Sequence, residues 1–105
     1  MAFKALFIAH APDADHEIHN NVIDTGKYKL FTFVVRTQKE ALQVSKNLYK
    51  KEKINAVMLC PGFTHNDVSE IFKALESKVS VNVSRGDGPS NSISQPLIQR
   101  EFFNK

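Results

Sequence analysis

A single cysteine in 105 residues leaves no partner for an intramolecular disulfide. A reducing compartment is the default expectation for such a chain. Neither G-x-G-x-x-G nor G-x-x-x-x-G-K-[ST] occurs, so neither of the glycine-rich phosphate loops that a sequence can announce is present. Long hydrophobic runs are also missing. Near the start, one lysine (Lys4) precedes the short apolar run Leu6 to Ala9, too short for a signal-peptide core or a membrane span. The expected location is the cytoplasm, with no membrane partner. Charge of one sign is scarce as well: 14 basic and 11 acidic residues leave a net charge of +3. The densest basic patch, "KNLYKKEK" from Lys46 to Lys53, has no accompanying nucleic-acid motif. It reads as the solvated end of a helix, where lysines suit the dipole, and no nucleic-acid partner is expected.

Ordinary globular composition remains. Residues of apolar type make up 42% of the chain and include eight phenylalanines. A domain of this length buries roughly 65% of its unfolded surface, enough for a core without staples. The expectation is one domain over residues 1–105, with a core over 1–88 and a C-terminal tail over 89–105.

Strand and helix signals alternate along the chain. "FKALFIA", Phe3 to Ala9, is nearly continuous apolar sequence, as in a strand covered on both faces. Ala14 to Asp24 carries Ile18, Val22 and Ile23, and Gly26 follows, which predicts a short first helix. "YKLFTFVV", Tyr28 to Val35, reads as a second strand. Ala41, Val44, Ser45 and Leu48 then follow helical spacing behind a Thr37–Glu40 capping box. "INAVMLC", Ile54 to Cys60, reads as a third strand. Val68, Ile71, Phe72 and Leu75 mark a third helix, and "VSVNVS", Val79 to Ser84, a fourth strand.

A βαβαβαβ order implies parallel pairing through right-handed crossovers. The expected fold is a small α/β domain of the flavodoxin-like or Rossmann-like kind, with a four-stranded parallel sheet in the order 2-1-3-4. A ferredoxin-like arrangement is disfavoured because it needs a hairpin that the sequence does not show. In this topology the second and third helices share one face of the sheet, and the first must cover the other alone. The tail carries Ile93, Leu97, Ile98, Phe102 and Phe103. It is expected to pack on that under-covered face or on a second subunit, which makes a homo-oligomer the expected assembly.

Ligands bind open parallel sheets outside the carboxyl ends of the strands. His10 follows the first strand, Arg36 the second at some distance, and "CPGFTH" from Cys60 to His65 the third; Arg85 and Asp87 follow the fourth. Cys60 stands at a strand end before a helix, where a thiolate nucleophile can form, although a free cysteine is also a common small core residue. His65 or His10 could act as its base. Gly62, Phe63 and Thr64 could form an anion nest at a helix start, or an ordinary turn in which Thr64 or Asn66 caps the helix. His16 and His19 share a predicted helix face and could join His10 or His65 on zinc; surface histidines on a short helix are the commoner case, and no metal is expected.

The motif order resembles a family of short microbial α/β proteins of unknown function. Its members look like "AAFI…APG-D-…H", "DAIELCGGFGH" and "V-V-R-DG". This chain has "KALFIAHAPDADHEIH", "NAVMLCPGFTH" and "VSVNVSRGDG". The resemblance spans most of the first 88 residues and implies that Cys60, Gly62, Phe63, His65, Arg85 and Asp87 form a recurrent polar rim. Pro61 stands where the family has glycine, and Gly86 where it has a bulkier residue. No activity or cofactor comes with it. Three functional expectations follow. The first is a small anionic metabolite bound at the carboxyl ends of the first, third and fourth strands by His10, Gly62, Phe63, Thr64, Arg85 and Asp87. The second is an enzyme using Cys60 with His65 or His10. The third is a structural homo-oligomer without a ligand.

Overall fold

The computed structural model describes residues 1–103. Five strands form one sheet: β1 (Phe3–His10), β2 (Asn20–Asp24), β3 (Tyr28–Val35), β4 (Ala56–Leu59) and β5 (Ser80–Val83). Three α-helices accompany them: α1 (Gln38–Glu52), α2 (His65–Ala74) and α3 (Gly88–Ile98). Gln99–Phe103 continue α3 as a π-helical turn. The sheet order is β2-β3-β1-β4-β5. β1 pairs in parallel with β3 and β4, and β4 with β5, whereas β2 runs antiparallel to β3.

The four-stranded sheet expected from the sequence is therefore corrected to five strands, and the first helix expected over Ala14 to Asp24 does not form. Two local preferences divide that segment. Asp15 closes a single turn: its carbonyl accepts from the Ile18 and His19 amides, and its carboxylate from the Glu17 amide. Beyond that turn, the two asparagines are poor helix formers and the β-branched pair Val22 and Ile23 favours extended backbone. A tight turn through Gly26, at φ +100°, then reverses the chain, with the Gly26 amide donating to the Asp24 carboxylate at 2.8 Å. The sheet therefore contains a hairpin, β2–β3, that the sequence pattern does not show.

α1 joins β3 to β4 across β1, and α2 joins β4 to β5. Both connections advance in the same direction along the sheet. Right-handed crossovers then place both helices on one face, and α1 and α2 contact each other there. Strand alternation directs Leu6, Ile8, Phe31, Val57 and Leu59 into this layer, where they meet Ala41, Val44, Ile71 and Leu75 in one buried core. The helix ends follow their capping residues. Thr37 accepts from the Glu40 amide at 3.2 Å, while the Glu40 carboxylate takes the Arg36 amide. Thr64 and Asp67 exchange reciprocal side-chain-to-backbone bonds at the start of α2, a full capping box.

The tail was expected on the under-covered sheet face or on a second subunit. It forms α3 and the π-helical turn, and α3 buries none of its residues. No helix of the described residues is long and apolar enough to cross a membrane.

Ile71 is the fully buried anchor of α2. Ile71→Ala is expected to cost about 2–5 kcal/mol of unfolding free energy through lost burial and a residual cavity, measured by urea denaturation. The exposed neighbour Phe72→Ala should cost far less.

Candidate functional site

The carboxyl edge of the sheet holds a half-open cavity of about 640 Å³, within the roughly 300–1,000 Å³ of small-molecule sites. Strand ends build it. His10 closes β1, Arg36 and Thr37 follow β3, and Cys60, Pro61 and Gly62 follow β4. Gln38 and Asp67 reach it from the first turns of α1 and α2, and Ala9, Ala11 and Pro12 form an apolar wall. The far wall comes from the C-terminal segment: Gln95, Ile98, Phe102 and Phe103. The tail thus stands over the strand ends.

His10 is the best-defined group. Its ring stacks on the fully buried Phe63 ring, with centroids 4.0 Å apart and planes 19° from parallel. Burial pushes the His10 pKa below its usual 6.5, and the nearby Asp67 carboxylate opposes that shift only in part. His10 therefore presents a neutral imidazole at neutral pH. Gly62 lies beside it. A Cβ at Gly62 would stand 3.4 Å from His10 Nδ1 and 3.6 Å from Cys60 Sγ, ordinary van der Waals contact. Packing alone does not demand glycine there, but its absence of a side chain leaves the His10 and Cys60 polar atoms open on that side. Cys60 is a half-buried free thiol.

The charges around the cavity are arranged unevenly. The Arg36 guanidinium makes no hydrogen bond or ion pair among the described residues. Asp67 spends one carboxylate oxygen on the Thr64 amide at 2.9 Å. Gln38 donates through Nε2 to the Asp67 carbonyl and the Glu70 carboxylate. Its own Oε1 is buried without a partner.

The sequence-predicted residues divide between cavity and support. His10, Cys60 and Gly62 line the cavity. Phe63 lies beneath as the platform for His10. Thr64 caps α2, and its amide and hydroxyl are both engaged with Asp67, so the proposed anion nest already holds a carboxylate. His65 is the exposed first residue of α2 and does not line the cavity. Arg85 donates to the Pro61 carbonyl at 3.2 Å, bracing the loop from outside. Asp87 is exposed at the start of α3 and makes no capping bond. His16 lies 3.6 Å from Glu40, and His19 accepts from the Asp15 amide. Among the described residues no three histidine, cysteine, aspartate or glutamate side chains form a group able to hold a metal.

Arg36, Thr37, Gln38, Asp67 and the four tail residues are among the lining groups that the sequence does not place in the site. Arg36 was legible: with the second predicted strand placed next to the first, its carboxyl end belongs to the same rim. The tail was not, because an apolar segment does not reveal which edge it meets.

A family model, described as a family of unknown function (DUF6506), matches residues 3–97. The chain belongs to that family. No curated protein and no solved structure matches it.

The His10 shift carries a pH consequence. A histidine whose folded pKa lies below 6.5 withholds a proton that the unfolded chain accepts. Its contribution is complete above pH 6.5 and is lost as pH falls toward the folded value. Melting temperature should therefore decline more steeply below pH 6.5 in wild type than in His10→Gln, measured as two melting curves against pH. Parallel curves would contradict the assignment.

Proposed function

We propose that this member of the family binds a small organic anion, with an apolar body and one carboxylate, in the cavity at the carboxyl ends of β1, β3 and β4. The observation that carries the reading is the Arg36 guanidinium, unpaired among the described residues, on the rim of a mostly apolar cavity of ligand size. An arginine fork matches a carboxylate bidentately. Asp67 repels a second negative charge, so a monoanion fits better than a phosphate or a dicarboxylate. The aromatic and aliphatic side chains of Phe102, Phe103 and Ile98 suit an apolar body. Neutral His10 supplies a further polar contact in the same cavity.

A second reading has its own observation. His10 Nδ1 and Cys60 Sγ both border the space above Gly62, and a neutral imidazole is the form able to accept a thiol proton. Cys60→Ser separates the two: a binding site keeps its ligand affinity, whereas a nucleophilic site loses turnover with affinity retained.

The test is thermal shift against aliphatic and aromatic monocarboxylates. A ligand at 100 times its dissociation constant stabilises by about 2.7 kcal/mol, which for a domain near this size is roughly 10 °C or more. Stabilisation by a monocarboxylate that disappears in Arg36→Gln and in Gly62→Val is the expected result. A panel without effect, or a hit indifferent to Arg36→Gln, would overturn the reading.

A further inference from the structure

With both α1 and α2 on one face of the sheet, no helix among the described residues covers the opposite face, although its small residues Ala5 and Ala56 are shielded by their neighbours. On β1 it presents Phe3, Ala5, Phe7 and Ala9, and the register aligns these with Tyr28, Leu30, Thr32 and Val34 of β3. Phe3 and Tyr28 meet edge to face at 5.8 Å. On the other side of β1 come Ala56 and Met58 of β4. Phe3, Ile23, Tyr28 and Met58 are 40–55% exposed, although each lies in regular sheet.

Two features say what covers this face. The first is its charge. Only three strand residues are charged apart from the histidine, and all three have the parity of the helical face: Lys4 pairs with Lys29, and Asp24 with Lys29. Both lysines reach Glu52 of α1. The bare face thus carries no charge, and its polar residues sit on the edge strands or beside them: Asn21 on β2, Ser80 and Asn82 on β5, and Thr32 on β3. An apolar centre within an uncharged polar rim is the anatomy of a protein interface. Apposing it to its own copy brings no like charges together. The second is relief and size. One row across the sheet runs Leu30, Ala5, Ala56, and the next runs Thr32, Phe7, Met58. A trough at the two alanines therefore lies beside a ridge at Phe7 and Met58, a relief that a twofold-related copy can interdigitate. Five strands about 4.8 Å apart and about 20 Å long cover on the order of 500 Å² in projection. Accessible area exceeds projection on a surface of side chains. Two such faces come to about 1,000 Å² in projection and correspondingly more in accessible area, near the low end of the roughly 1,200–2,000 Å² in total that stable interfaces bury.

We propose that the bare face of the sheet is the interface of a twofold homodimer, sheet against sheet, with Phe7 and Met58 at its centre. The pairing is independent of the cavity, which opens at the carboxyl edge.

Light-scattering mass of the full chain tests this directly. Wild type should have the mass of two chains. Met58→Lys and Tyr28→Glu place a charge on the face at positions half-open in the single chain, and each should have the mass of one chain with an unchanged circular dichroism spectrum. A one-chain mass for wild type would overturn the proposal and leave the face to a different protein; so would a dimer that survives both substitutions. Peroxide oxidation of wild type needs no variant. Met58 should react several-fold more slowly in the native protein than in the urea-unfolded chain, and more slowly than in native Tyr28→Glu. Equal native rates in wild type and Tyr28→Glu would count against the interface.

Discussion

The handedness of two crossovers governs this molecule. β3 leads to β4 and β4 to β5 in one direction along the sheet, and right-handed connections then put α1 and α2 on the same side. The first connection, from β1 to β3, holds a hairpin strand where a helix would have covered the reverse side. From that single asymmetry follow a thick apolar layer on one face, an uncharged bare layer on the other, and strand ends gathered at one edge. Lys4 and Lys29 show how far the sequence respects it: both sit on the helical face, where Glu52 at the end of α1 meets them.

The cavity grows from the same arrangement. Parallel strands end together, so His10, Arg36 and Cys60 come from different segments yet share one rim. Asp67 ties local structure to site chemistry. Its carboxylate closes the capping box of α2 and also opposes the shift that burial imposes on His10. A helix start that elsewhere attracts an anion is here already occupied by the protein's own carboxylate. Arg36 is the positively charged side chain that lines the same cavity.

Much of this was legible before the structure. Tyr28 to Val35 reads as a strand because its β-branched and aromatic residues suit a pleated surface, and Thr37 reads as a helix start because Glu40 three residues on completes a capping box. The βα turn at Cys60 to Thr64 was legible for the same kind of reason. Asn20 to Asp24 was not. Ile18, Val22 and Ile23 mimic helical spacing, while the turn at Asp15 closes through bonds two to four residues long and the strand beyond it is fixed by pairing with β3. Phe63 shows the limit for the site. It was legible as part of the motif, but its role as the platform under His10 depends on a stacking contact across 53 positions of chain, which spacing cannot encode. Phe102 and Phe103 were visible as apolar, and the choice between face, edge and partner lay in the path of α3.

The proposed working surface is the carboxyl edge of the sheet. An amide NMR titration of the isotope-labelled protein with phenylpropionate tests it at residue level. Perturbed amides should cluster at Ala9 to Ala11, Arg36 to Gln38, Cys60 to Gly62 and Ile98 to Phe103, with Phe3, Lys27 and Asn55 at the amino edge unchanged. Shifts centred on the amino edge, or on the solvent side of α1 around Lys46, would contradict it.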